Sequence, residues 1–240
     1  MTYFLTSSPC LWGETELCPN NRFAEELKKA LAWPCAALFI CSSPDDYAKT
    51  ERFAGSMRDI FRRSGFAFRR FEILDRRNEK QAAALVERAE LIFLAGGHVP
   101  TQNRFFAQIG LRELLKGYEG VVIGISAGTM NSAELVYAQP ELEGEAVSKE
   151  YRRFLPGLGL TKTMVLPHYQ LVKNDVLDGL RVFEDIAYPD SMGRCFYALP
   201  DGSYLFGKDG KEELRGEAWR IKDGRIEKIC ENGQSIVLHT

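Results

Sequence analysis

The stretch GVVIGISAGTMNSAELVY, Gly120 to Tyr137, joins an apolar strand-like run to a helix-like one, with Gly124-Ile125-Ser126-Ala127-Gly128 at the joint. A serine on a tight strand-to-helix turn has its hydroxyl lifted above the sheet edge, and flanking glycines relieve the crowding of such a turn. The N–H of Ala127 points toward the same space, and a second donor is available in the Gly96-Gly97 turn after the preceding strand. Two amides at adjacent strand ends would form an oxyanion hole. A plain helix start in a nucleotide-binding fold uses the same residue types, so the pentapeptide alone leaves nucleophile and structural turn both open.

Working outward, apolar runs bounded by turn residues recur at TYFL near the start, CAALFIC (35–41), FAFRRFEIL (66–74), LIFLA (91–95) and VVIGI (121–125). Segments of helical spacing lie between them. After Ser43-Pro44-Asp45-Asp46, the residues Phe53, Met57, Ile60 and Phe61 share one face, and the start reads as a serine N-cap with proline at the first helical position. Residues 22–32 and 79–89 read as further helices. This alternation predicts an α/β fold, a mostly parallel sheet with helices on both faces in three layers. From about residue 196 the texture changes, and Asp-Gly at 201, 209 and 223 with Asn-Gly at 232 predicts a C-terminal antiparallel β meander. No linker-like segment precedes it, so residues 1–240 read as a single domain.

Ligands in such sheets bind beyond the carboxyl ends of the strands, where AGGHVPTQN and GISAG both fall. The chain's 240 residues, 45% of them hydrophobic, suffice for a full core, and 31 basic residues against 33 acidic ones leave no footprint for nucleic acid. No segment reaches the ~18 uninterrupted apolar residues of a membrane span. The N-terminus lacks a basic leader followed by an apolar stretch, so the expected location is the cytoplasm. The cysteines at 10, 18, 35, 41, 195 and 230 form no C-x-x-C pair and are expected to be reduced, buried small hydrophobes. No phosphate-loop or dinucleotide motif is present, and the expectation is no cofactor and no metal.

A serine nucleophile needs a base, and the chain has three histidines. His239 is penultimate and expected to fray. His168, in MVLPHYQ, follows an apolar run and a proline at the end of a predicted strand, which suits a base. His98 lies on the Gly96-Gly97 turn and competes for that role; it reads better as a pocket or loop-ordering residue. The third member should be a carboxylate that fixes the imidazole tautomer. Glu141, Glu143 and Glu145 in YAQPELEGEAVSKE are the candidates, with Asp175 as an outsider, and composition does not choose among them. Arg104 and Arg181 are candidate carboxylate anchors whose alternative reading is ordinary surface arginine.

Together, the Gly-Gly turn at 96–97, GISAG at 124–128, PH at 167–168 and the late DGSYLF, GKDG and RGEAW resemble the serine peptidases that include dipeptidase E and cyanophycinase. That family's fold is similar to a class I glutamine amidotransferase domain with serine in place of cysteine at the elbow. The match spans about residue 90 to the C-terminus. It implies Ser126 as nucleophile, His168 as general base, and the amides of Gly97 and Ala127 as oxyanion donors; Gly96 and His98, on the turn beside them, are expected at the substrate. The family's acidic residue lies about fifteen residues past the serine in the dipeptidase branch, which lands on Glu141, while a later position in the cyanophycinase branch keeps Glu143 and Glu145 in play.

Two departures stand out. His98-Val99-Pro100 replaces the Asn or Asp common after the Gly-Gly turn, so the family's specificity for aspartyl groups does not carry over. The loop between serine and histidine is also a few residues longer than the dipeptidase spacing, as a lid or altered pocket would be. The resulting expectation is a serine hydrolase of the dipeptidase E type. Its partner is a small peptide or amide, with no nucleic acid and no membrane, and a homodimer is compatible with it. The alternatives are a non-catalytic binding or regulatory protein of the same fold, and a glutamine amidotransferase-like protein.

Overall fold

The computed structural model describes residues 1–238; His239 lies outside them. In chain order the first part runs β1 (Thr2–Thr6), α1 (Phe23–Ala30), β2 (Cys35–Ile40), α2 (Tyr47–Arg63), β3 (Phe68–Leu74), α3 (Ala82–Glu87), β4 (Leu91–Leu94), α4 (Val99–Gln108), α5 (Leu111–Leu114), β5 (Val121–Ile125) and α6 (Ala127–Asn131). Strands β1, β5, β4, β2 and β3 are neighbours in that order and all parallel. Period-2 alternation distributes their side chains between two cores. Phe39, Phe93 and Ile123 meet Phe23, Met57 and Phe61 of α1 and α2 on one face. Leu38, Ile92 and Val122 meet Leu85, Phe105 and Leu111 of α3, α4 and α5 on the other. β2, β4 and β5 are apolar on both faces because helices cover both, which gives the expected three layers, while β3 at the sheet edge carries Arg69, Arg70 and Glu72 and is only partly covered.

The remainder comprises β6 (Leu135–Tyr137) paired with β7 (Phe154–Pro156), then β8 (Met164–Leu166), α7 (Tyr169–Val172), the two-residue strands β9 (Val176–Leu177) and β10 (Leu180–Arg181), α8 (Tyr188–Asp190), and β11 (Cys195–Ala198), β12 (Tyr204–Lys208), β13 (Lys211–Arg215), β14 (Ala218–Lys222), β15 (Arg225–Cys230) and β16 (Ser235–Leu238). The late strands are antiparallel neighbours as their Asp-Gly turns predict, but they do not form one meander. β12, β13 and β16 extend the main sheet from its β1 edge, while β14 and β15 join β11 and β8 in a second sheet. Both β1 and β11 would otherwise be open edges, and each takes a strand from this region, β12 and β14 respectively.

Two local expectations change. The cap of α2 is Asp46, whose carboxylate accepts the Lys49 N–H at 3.0 Å, whereas Ser43 contributes its carbonyl to Asp46 N–H and to the Thr50 hydroxyl. The helix expected over 79–89 begins as a tight turn from Arg76, because Asp75 and Asn78 cap each other's backbone, and becomes α-helical only at Ala82. All six cysteines are free, and Cys18, Cys35, Cys41 and Cys230 are buried. Burial pushes the Cys35 and Cys41 thiols up to about 12. Among the described residues no helix is long and apolar enough to cross a membrane.

Candidate active site

The joint between β5 and α6 is a strained turn. Ser126 has φ 51° and ψ −111°, a conformation that costs a non-glycine residue of order 1–3 kcal/mol and persists only when its surroundings impose it. Here they do. The Ser126 N–H donates to the carbonyls of Thr6 and Ser7 at the end of β1, and Thr129 Oγ1 donates to Thr6 O at 2.7 Å. The two glycines of the motif serve packing: a Cβ on Gly128 would overlap the Leu94 carbonyl of β4, and one on Gly124 would crowd Thr129.

Directly opposite, β8 delivers Pro167-His168. His168 is itself left-handed, with φ 58°, and its N–H donates to Ser7 Oγ at 2.7 Å. Its Nε2 lies 2.9 Å from Ser126 Oγ, and its Nδ1 lies 2.7 Å from Asp201 Oδ1. With Nδ1–H donating to the carboxylate, Nε2 is the free acceptor for the serine proton. Ser126, His168 and Asp201 therefore form one line of hydrogen bonds. The carboxylate is almost fully buried, with 4% of its side chain exposed. Burial raises its pKa, but hydrogen bonds from His168, its charge, and the bonds of Ser7 and Gln170 outweigh that and hold Asp201 below the ordinary carboxylate value.

The carboxylate that touches His168 is Asp201, where Glu141, Glu143 or Glu145 was expected. Glu141 makes no hydrogen bond to either His168 nitrogen; it stands across the cavity. Glu145 pairs with the other histidine, His98 Nε2, at 2.8 Å, and the Glu143 side chain is solvent-facing. The physical reason is the second sheet. β8 and β11 are parallel neighbours, Leu166 beside Ala198, so the residues that follow each strand emerge at the same end. His168 comes from one and Asp201 from the other. No acid on the 138–150 loop approaches from that side.

His98 caps α4 with its ring turned toward Thr101 Oγ1 (2.8 Å) and Glu145, away from Ser126. Gly97, at φ 148°, brings its backbone against Ser42, where a Cβ would overlap the Ser42 hydroxyl. Gly96 lies beside the nucleophile, its Cβ position 3.4 Å from Ser126 Cβ. Neither the Gly97 nor the Ala127 amide has a backbone partner among the described residues, so both remain available to a ligand oxygen. Arg181 is committed to Asp185, and Arg104 is exposed; neither lines the cavity.

A cavity of about 480 Å³ opens in front of Ser126 and His168, walled by Met130, Val172, Val176, Leu177 and Val182, with Gln139, Glu141 and Asp175 as its further polar groups. Glu141 is open to solvent along the cavity mouth, yet its carboxyl is crowded. Burial, then the neighbouring Glu145 charge, push it up against the opposing Val99 N–H and His168, to about 7.

This architecture has relatives among solved structures. A peptidase from an acI-B1 Actinobacterium superposes with a TM-score of 0.66 at 18% identity, covering 99% of this chain and 96% of that one. A putative peptidase E protein from Listeria monocytogenes EGD-e gives 0.59 at 14% identity, over 95% and 98% of the two chains. At such identities the likeness is one of fold. No functionally curated protein matches the sequence. Residues 21–214, however, match the sequence pattern of Peptidase family S51, a span holding the elbow, His168 and Asp201. The chain thus belongs to peptidase family S51 and is a serine peptidase.

Proposed function

We propose that the chain hydrolyses the peptide bond of a short peptide through Ser126, His168 and Asp201. The observation that carries this reading is the position of His168, within hydrogen-bond distance of the serine on one side and of a buried carboxylate on the other. The serine oxygen attacks the peptide carbonyl carbon as His168 Nε2 takes its proton. Asp201 holds the ring in the reactive tautomer and stabilises the imidazolium. The carbonyl oxygen, now negative, is received by the amides of Gly97 and Ala127, each oxyanion donor being worth ~10²–10³ in rate. The imidazolium then protonates the leaving amine. Water, deprotonated by the same ring, releases the acyl group and restores Ser126.

Reaction with a fluorophosphonate, which captures activated serines, tests the reading. Wild-type protein is expected to label at Ser126 near neutral pH, and Ser126→Ala not at all, with peptide hydrolysis falling by on the order of 10⁶. A folded wild-type protein that neither labels nor cleaves any short peptide would instead be a binding protein of the same fold.

A further inference from the structure

The acids around the site are matched to partners except for the two that line the cavity, Glu141 and Asp175. Asp201 belongs to His168, Glu145 to His98, Asp185 to Arg181, and Asp190 to Arg153 and the Tyr137 hydroxyl. Glu141 has no ion-pair partner among the described residues, although it stands at the mouth of the cavity in front of the nucleophile.

Its placement is built. Glu145 Oε2 accepts the N–H groups of Glu141 and Leu142 at 2.9 and 3.0 Å while Oε1 is held by His98. Asp178 accepts those of Gly144 and Ala146 at 2.8 and 2.9 Å. Arg153 Nη2 donates to Ala146 O at 2.9 Å. Six hydrogen bonds thus fix this short loop, and the carboxylate presented at its N-terminal end is left without a counter-charge.

The cavity holds no lysine or arginine. Glu141 shares the cavity with an aliphatic lining of Val172, Val176, Leu177 and Val182 and with a second carboxylate, Asp175. A ligand that satisfies both features carries a cation at the end of an apolar stem. Charge-assisted bonds to a carboxylate are the strong ones, and aliphatic stems bury readily beside such walls.

Building on the hydrolase reading above, we propose that this cavity selects a peptide with a lysine or arginine side chain beside the scissile bond, and that Glu141 is the residue that recognises its charge. The stem lies along the valine and leucine wall and the ammonium or guanidinium supplies the counter-ion that Glu141 lacks. An aspartyl or glutamyl side chain meets two like charges there and is rejected.

The groups facing Glu141 set how this depends on pH. They are Glu145 on its own loop, His168 and Asp175 across the cavity, the Val99 N–H of α4, and Tyr151 further along the chain. Because the Glu141 carboxyl titrates at about 7, the preference for a cation is full above that pH and fades below it.

Calorimetry of Ala-Lys-Ala, Ala-norleucine-Ala and Ala-Glu-Ala with Ser126→Ala protein at pH 8 reads the cavity without requiring catalysis. The lysine peptide is expected to bind at least about 10-fold more tightly than its apolar isostere, with the glutamyl peptide weakest. The lysine advantage should collapse in Ser126→Ala/Glu141→Gln and shrink in Ser126→Ala/Asp175→Asn. Equal binding of lysine and norleucine, tighter binding of glutamate, no measurable lysine binding, or an advantage that survives Glu141→Gln overturns the proposal. Fluorophosphonate labelling of the wild type separates the two readings. Labelled protein without a lysine preference removes this inference alone, and a lysine preference without labelling removes the hydrolase.

Discussion

The Ser7 hydroxyl, at the end of the first strand, donates to Asp201 Oδ1 at 2.8 Å and accepts the N–H of His168 at 2.7 Å. One fully buried side chain thereby fixes both the acid and the backbone of the base. Ser7→Ala removes a hydrogen bond to a charged acceptor, an interaction of about 1.5–3 kcal/mol. The expected result is a fall in kcat of roughly 10-fold or more with little change in KM, read from steady-state hydrolysis of a short peptide.

Asp201→Asn, which cannot hold the productive imidazole tautomer, is expected to lower kcat by about 10⁴. Glu141→Gln leaves the ring's partner in place, so its kcat penalty should be at least about 100-fold smaller. Matched kinetics of the two variants decide between them. Equal losses would return the third position to the loop acid.

His98 and His168 differ in what each ring touches. His168→Ala removes the proton acceptor of Ser126, so fluorophosphonate labelling should disappear. His98→Ala releases Glu145 and with it the loop that carries Glu141. Labelling should persist in that variant while KM for peptide rises more than kcat falls.

The Glu141 carboxyl is raised from an ordinary value of 4.5 to about 7. Between those values the folded chain binds more protons at this site than the unfolded one, so its contribution to stability falls as pH rises. Glu141→Gln and wild type should therefore melt together at pH 4, where both side chains are neutral. At pH 8 the variant should melt higher. Asp201 acts with the opposite sign: its depressed pKa gives stability that is present above the ordinary carboxylate range and lost as pH falls through its folded value. Differential scanning calorimetry across pH 4–8 reads the first effect.

Gly128→Ala places a methyl group on the Leu94 carbonyl of β4, a backbone atom that cannot yield without disturbing the β4–β5 ladder. The expected loss is about 2–4 kcal/mol, or roughly 5–15 °C in Tm by thermal melting.

The elbow, the histidine beside it and the parallel sheet were legible because their signals are local. Ser126 sits inside its own pentapeptide, His168 ends its own apolar run, and the central strands β2, β4 and β5 are apolar on both faces over four to six residues. Asp201 was hidden because it lies in Pro-Asp-Gly, and Asp-Gly reads as turn chemistry wherever it occurs. Its contact with His168, 33 residues away, depends on β11 lying beside β8, and parallel pairing leaves no mark in either strand. The same turn chemistry foretold the late antiparallel strands but not their division between two sheets. The acidic loop was singled out as the source of the acid beside His168. Its acids face His98 and the cavity instead of His168.

The order of assembly has a consequence for biosynthesis. Ser7, Ser126, His168 and Asp201 come from four distant stretches, and the last is carried on the strand-to-strand connection between β11 and β12, which lies against β1. A chain still emerging from the ribosome therefore possesses an elbow and a base but no oriented imidazole. On the proposed reading, the buried partner that orients this ring arrives only when the last sixth of the polypeptide closes over the first strand.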